Sequence, residues 1–118
     1  MKRVAFVLAV IIVISMPLTV FAASRATTII PDISFTATTA NCEVAVYGNR
    51  STDYIEVTMK LMQGTTCYGS WSDSGYAFVY IYREANVVQN YVYTVVAEVK
   101  INGVALTPVS ISDKCSPT

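Results

Sequence analysis

Tyr91-Val92-Tyr93-Thr94-Val95-Val96-Ala97-Glu98-Val99-Lys100-Ile101-Asn102-Gly103 is the most regular stretch of this 118-residue chain, and it reads in steps of two. Tyr93, Val95, Ala97, Val99 and Ile101 share one face of an extended backbone, while Thr94, Glu98 and Lys100 share the other. That is the pattern of a strand with one side in a core and one in water. The run stops at Asn102-Gly103, two residues that both tolerate the positive φ of a two-residue type I′ hairpin turn. A returning strand is therefore expected over Val104 to Asp113. Pro108 removes a ladder donor from that strand, which places it at a sheet edge or on a bulge.

The same period recurs towards the N-terminus. Ile33 and Phe35 alternate with polar neighbours, Cys42, Val44 and Val46 with Asn41, Glu43 and Ala45, and Ile55, Val57, Met59 and Leu61 with Tyr54, Glu56, Thr58 and Lys60. A shorter segment at Cys67 to Trp71 precedes the turn-rich Ser72-Asp73-Ser74-Gly75. Tyr76 to Arg83 then reads as another strand. No segment after Ile30 sustains a 3.6-residue period, so helices are not expected. About seven short strands with turn residues between them predict an all-β fold, an immunoglobulin or fibronectin III-like sandwich of antiparallel strands over residues 30–118. Trp71 and Tyr93 are its expected aromatic core members. Tyr93, near the start of the sixth strand, stands where a tyrosine corner occurs in such folds.

Residues 1–22 follow a different plan. Lys2-Arg3 leads into the apolar run Val4 to Ile14, then Ser15-Met16-Pro17, then Val20-Phe21-Ala22, the three-part layout of a secretory signal peptide with cleavage after Ala22 or Ala23. An apolar core of about 11 residues is short of the ~20 needed to cross a bilayer. No membrane span is expected after cleavage, and residues 23–29 are expected to be a flexible lead-in. The leader also explains the composition: the chain is 53% apolar with 8 basic and 8 acidic residues. Without the leader the remainder is ordinary in hydrophobicity and slightly acidic, which excludes nucleic acid as a partner on electrostatic grounds. Export places the chain in a secreted or cell-surface setting where disulfides persist.

Candidate chemistry is sparse. The chain has no histidine, hence neither the commonest general base nor the commonest metal ligand. Gly69-Ser70-Trp71-Ser72 is not a nucleophile elbow, and Asp73-Ser74-Gly75 is too short for a calcium loop. Asn49-Arg50-Ser51 matches a glycosylation sequon, which matters only in a eukaryotic secretory route. Glu43, Glu56 and Glu98 occupy the polar phase of strands, while Asp32, Asp53, Asp73, Glu84 and Asp113 fall in turns or at element ends, all read as solvated positions. No catalytic residue, metal or cofactor is expected, and the chain reads as not an enzyme.

Three cysteines permit one internal disulfide. Tracing the strands as successive hairpins brings Cys42, Cys67 and Cys115 to one end of the sandwich, so topology leaves all three pairings open. Parity turns Cys42 and Cys115 inward. A bond between them would close about 74 residues, worth about 4 kcal/mol in the chain-entropy model. Cys67 is either a free thiol for intermolecular pairing or redox chemistry or a small buried hydrophobe, and the absence of cationic neighbours favours the second.

Leu61-Met62-Gln63-Gly64-Thr65-Thr66, Ser70-Trp71-Ser72 with Ser74-Gly75, Tyr93-Thr94-Val95, Asn102-Gly103-Val104 with Thr107-Pro108, and Cys115 together resemble a group of small secreted β-sandwich proteins of Gram-positive bacteria, chiefly clostridia and their relatives. The segment Thr39-Ala40-Asn41-Cys42 matches the group's early cysteine segment. The resemblance covers about Ile30 to Cys115 and implies pairing of Cys42 with Cys115. Met62, Cys67 and the Tyr76 to Tyr82 row depart from the group, which brings no activity with it.

That row, Tyr76-Ala77-Phe78-Val79-Tyr80-Ile81-Tyr82, is the informative feature. With Ala77, Val79 and Ile81 in the core, Tyr76, Phe78, Tyr80 and Tyr82 line the opposite face. Such a row either packs across strands for stability or recognises a cell-surface glycan or a protein. Uncharged and free of proline, it is also a site for self-association if its edge is open. The expected function is a secreted, non-catalytic binding or structural module at or outside the bacterial surface. The alternative is a secreted effector, a toxin or enzyme inhibitor, acting through a loop at Gly48 to Asp53 or Glu84 to Asn90.

Overall fold

The computed structural model describes residues 27–117. The expected signal peptide, residues 1–22, and residues 23–26 of the expected lead-in lie outside them. Eight strands follow: β1 Thr28–Thr36, β2 Thr39–Tyr47, β3 Tyr54–Gln63, β4 Thr66–Tyr76, β5 Phe78–Asn86, β6 Val92–Ile101, β7 Val104–Ala105 and β8 Val109–Lys114. All pairings are antiparallel. One sheet runs β1-β2-β5; the other runs β4-β3-β6, with β7 and β8 pairing the two ends of β6.

The two sheets face each other across one core, and the alternation in the sequence is what builds it. β2 contributes Ala40, Cys42, Val44 and Val46, and β5 contributes Val79 and Ile81; against them stand Ile55, Val57, Met59 and Leu61 of β3 and Tyr93, Val95, Ala97 and Val99 of β6. Each such aliphatic side chain contributes about 1.5–3 kcal/mol on leaving water. Tyr93 is fully buried, as expected; Trp71 is only partly buried at the core's margin. The Tyr93 hydroxyl accepts the Val88 N–H at 2.9 Å and donates to the Val88 carbonyl at 3.3 Å, the reach-back of a tyrosine corner.

The turns show where local sequence preference held. Asn102 and Gly103 have φ of 51° and 83°, as a type I′ hairpin requires. Pro108 lies between β7 and β8, so the returning strand is split at the sheet edge. Two expectations are corrected. Thr28 and Ile29 are not lead-in but pair with Tyr47 and Val46. Ser72-Asp73-Ser74-Gly75 is not a turn: β4 runs through it to Tyr76, because Ser72 and Ser74 face outward and hydrogen-bond the Thr58 and Tyr54 hydroxyls of β3, each at 3.1 Å. The reversal falls instead at Ala77, whose φ of 70° carries the chain from one sheet to the other. The Ala77 N–H donates to the Asp53 carbonyl and its carbonyl accepts from the Gly48 N–H, both at 2.9 Å.

A bulge shapes the start of β4. Leu61 pairs with Gly69 and Met62 with Cys67, leaving Tyr68 as the extra residue. Its ring meets the buried Tyr93 ring edge-on, with centroids 5.3 Å apart. The Trp71 indole lies over Gly69, where a Cβ would collide with it.

Candidate functional site

Alternation along β2 and β5 sets the composition of the outer face of the three-stranded sheet. With Val79 and Ile81 inward, Phe78, Tyr80, Tyr82 and Glu84 point out; with Cys42, Val44 and Val46 inward, Asn41, Glu43, Ala45 and Tyr47 point out beside them. Register then assembles rows across the face. Tyr47 stands opposite Phe78, Ala45 opposite Tyr80, Glu43 opposite Tyr82 and Asn41 opposite Glu84. On the far side of β2, Ile30, Asp32 and Ser34 of β1 continue the rows of Ala45, Glu43 and Asn41.

Three of the four expected aromatic positions meet here, and one does not. Phe78, Tyr80 and Tyr82 are 45%, 47% and 39% exposed. Tyr76 is exposed as well, but it ends β4 in the other sheet and packs on Tyr54, ring centroids 5.1 Å apart, because the Ala77 reversal separates it from β5. Its place in the row is taken by Tyr47, whose ring lies 4.8 Å from that of Phe78. Tyr47 continues the outward phase of Asn41, Glu43 and Ala45, a signal present in the sequence, yet only the β2–β5 register brings it to Phe78.

The hydroxyls on this face are held. Tyr80 donates to Glu43 Oε1 at 3.0 Å, and Tyr82 lies 2.8 Å from Glu84 Oε2 and 3.1 Å from Asn41 Oδ1. The hydrogen bond to Glu43 raises the Tyr80 pKa and the one to Glu84 raises that of Tyr82, since each carboxylate favours the protonated phenol. Asn41 Nδ2 donates to Thr36 Oγ1 at 3.2 Å. Because β2 is the central strand and its inner side is fully buried, the rings stand on a rigid base.

The acidic residues are arranged differently from their solvated reading at one position. Asp53 is 7% exposed. Its carboxylate accepts the N–H groups of Asn49 and Arg50 at 3.0 and 3.1 Å and Asn102 Nδ2 at 3.1 Å, while Tyr54 N–H donates to Asn102 Oδ1 at 2.8 Å. Burial acts to raise its pKa, but these hydrogen bonds and the nearby Arg50 charge outweigh it and hold the carboxyl below its ordinary value. The Gly48 to Asp53 loop is thus tied to the Asn102-Gly103 turn. The Glu84 to Asn90 segment is likewise pinned: it belongs partly to β5, Val87 N–H donates to Thr38, and Asn90 N–H donates to Cys115.

Glu56, Thr58, Glu98, Lys100, Leu106 and Pro108 line a groove of about 430 Å³ on the outer side of the other sheet. Lys60 donates to Glu98 at 3.2 Å, and Glu56 stands opposite Lys100 in the strand register. Among the described residues no group of three or more His, Cys, Asp or Glu is placed to hold a metal ion, and no helix is long and apolar enough to cross a membrane.

Cys42 and Cys115 both point inward and are fully buried, but the pairing that the resemblance implies is not formed in the structure: both are free thiols. Cys115 Sγ points at the Ala37 carbonyl, 3.5 Å away, and burial pushes the Cys42 pKa up to about 11. Cys67 is not the buried hydrophobe that the lack of cationic neighbours favoured. It is exposed beside the Tyr68 bulge, with its Sγ 3.3 Å from the Gly69 carbonyl. No protein-family model matches this chain, and no curated protein matches it.

Proposed function

We propose that this chain is a secreted, non-catalytic binding module of the bacterial surface, and that its binding surface is the outer face of the three-stranded sheet. The observation that carries the reading is the contiguous exposed group Tyr47, Phe78, Tyr80 and Tyr82, with two hydroxyls anchored to Glu43 and Glu84. Contiguous aromatic area of this kind is what recognition surfaces present, and anchoring lowers the ordering cost on binding. The strand order, β1-β2-β5 against β4-β3-β6-β8, and the Tyr93 corner support an immunoglobulin-like sandwich of the fibronectin III arrangement as the scaffold. The leader-like plan of residues 1–22 supports export, and the lack of histidine supports a non-catalytic role.

The test is the double variant Phe78→Ser, Tyr80→Ser. Expected is a fold unchanged by circular dichroism together with loss of retention on the surface fraction of the producing cells. Retention equal to that of the wild type overturns the assignment of this face.

A further inference from the structure

We infer that the ligand of this face is cationic: a polypeptide segment carrying lysine or arginine, held by the tyrosine rings and by Asp32, Glu43 and Glu84. The inference rests on the reading of the face as the binding surface and adds what must occupy it. Every charged side chain that the register places on the outer side of β1, β2 and β5 is acidic. Asp32 and Glu43 stand directly opposite each other on β1 and β2, an arrangement that destabilises a sheet unless a cation lies between or above the pair. Glu84 lies one row beyond Tyr82, so the three carboxylates border the aromatic row along its polar end.

The rings point the same way. The Tyr80 and Tyr82 O–H groups are turned to Glu43 and to Glu84 or Asn41, so around these two residues the row presents carboxylate oxygens and ring faces. Ammonium and guanidinium groups donate and never accept, and they also bind ring faces through the π quadrupole. The acidic charge of the face and its exposed rings therefore select the same ligand chemistry.

The probes are an extended arginine-and-lysine octapeptide, the same peptide with glutamine at each basic position, and a neutral β-linked hexasaccharide, each titrated into the folded protein while the amide signals of β2 and β5 are followed by NMR. Expected is that only the basic peptide shifts Ala45, Tyr80 and Tyr82, with affinity falling as salt rises. Glu43→Gln and Glu84→Gln keep an acceptor for each tyrosine; each should weaken binding about two- to fivefold, and the pair together about tenfold. Equal binding of the glutamine peptide, or affinity indifferent to both glutamates, overturns the cationic assignment. If the hexasaccharide alone shifts these amides, the face remains the binding surface and the cationic inference falls. If no probe shifts them and the Phe78→Ser, Tyr80→Ser variant is retained like the wild type, both fall.

Discussion

Replacing Tyr93 by phenylalanine removes one oxygen atom from the core, and its cost can be worked from the geometry. The ring itself stays packed between Phe35, at 6.0 Å between centroids, and Tyr68, at 5.3 Å, so no cavity is opened. What is lost is the 2.9 Å bond from Val88 N–H and the longer 3.3 Å bond to its carbonyl. A well-formed bond of this kind contributes about 1 kcal/mol net, and stranding a partner adds to that only where water cannot replace the bond. Val88 is 54% exposed, so water replaces part of it. The sum is a loss of about 1–2 kcal/mol, or roughly 5–15 °C in melting temperature for a domain this size. Urea unfolding followed by Trp71 fluorescence and far-ultraviolet circular dichroism should show an earlier midpoint with an unchanged slope, since the area buried is the same. Amide exchange at Val88 should accelerate in step. Tyr76→Phe, at a tyrosine that is 67% exposed and lies against Tyr54 of the neighbouring strand, serves as control and should leave the midpoint where it is. A Tyr93→Phe protein that unfolds with the wild type would refute the idea that this hydroxyl ties the β5–β6 connection to the core.

Other consequences are as direct. Ala77→Gly relieves a left-handed residue and, after the added freedom of glycine in the unfolded chain, should stabilise by about 0.5–1 kcal/mol in the same urea assay; a loss of stability would contradict the strain reading. Asp53 has a folded pKa below its unfolded value, so its contribution is present above the unfolded pKa and disappears as pH falls through the folded one; Asp53→Asn should flatten that acid limb, seen as melting temperature against pH between neutrality and strong acid. Tyr80 and Tyr82 have folded pKa values raised above their unfolded ones, so their contribution is present below the unfolded pKa and lost as pH climbs through the folded values; phenolate absorbance should rise later for the native chain than for the unfolded one. In native protein a soluble alkylating reagent should label Cys67 alone, with Cys42 and Cys115 labelled only in denaturant; two cysteines that resist even in denaturant until reduced would show a Cys42–Cys115 bond instead.

Where the period-two pattern ran long, as in Ile55 to Leu61 and Tyr93 to Ile101, sequence and structure agree on the strand and on which side faces the core, because a side chain's face is a local property of extended backbone. Ser72 to Gly75 misled, because turn propensity is weak next to an available partner strand, and β3 supplied one. The assignment of Tyr76 to the row failed for the same reason: period two holds only within a strand, and Ala77, a residue with no preference for positive φ, gives no sign that the strand ends there. Asp53 was legible as a turn aspartate, but not as the buried link between two loops, because Asn102 lies far along the chain.

By itself the sequence determined the all-β class, the inward and outward sides of most strands, the Asn102-Gly103 turn, the interruption at Pro108 and the presence of exposed aromatic residues at Phe78, Tyr80 and Tyr82. Each follows from interactions between neighbours in the chain. Only the tertiary structure decided that Tyr47 joins them and Tyr76 does not, that Asp32, Glu43 and Glu84 border the same face, and that Cys67 is exposed. These depend on pairing between segments tens of residues apart, where register is chosen by the burial of the whole sheet rather than by any local run of residues.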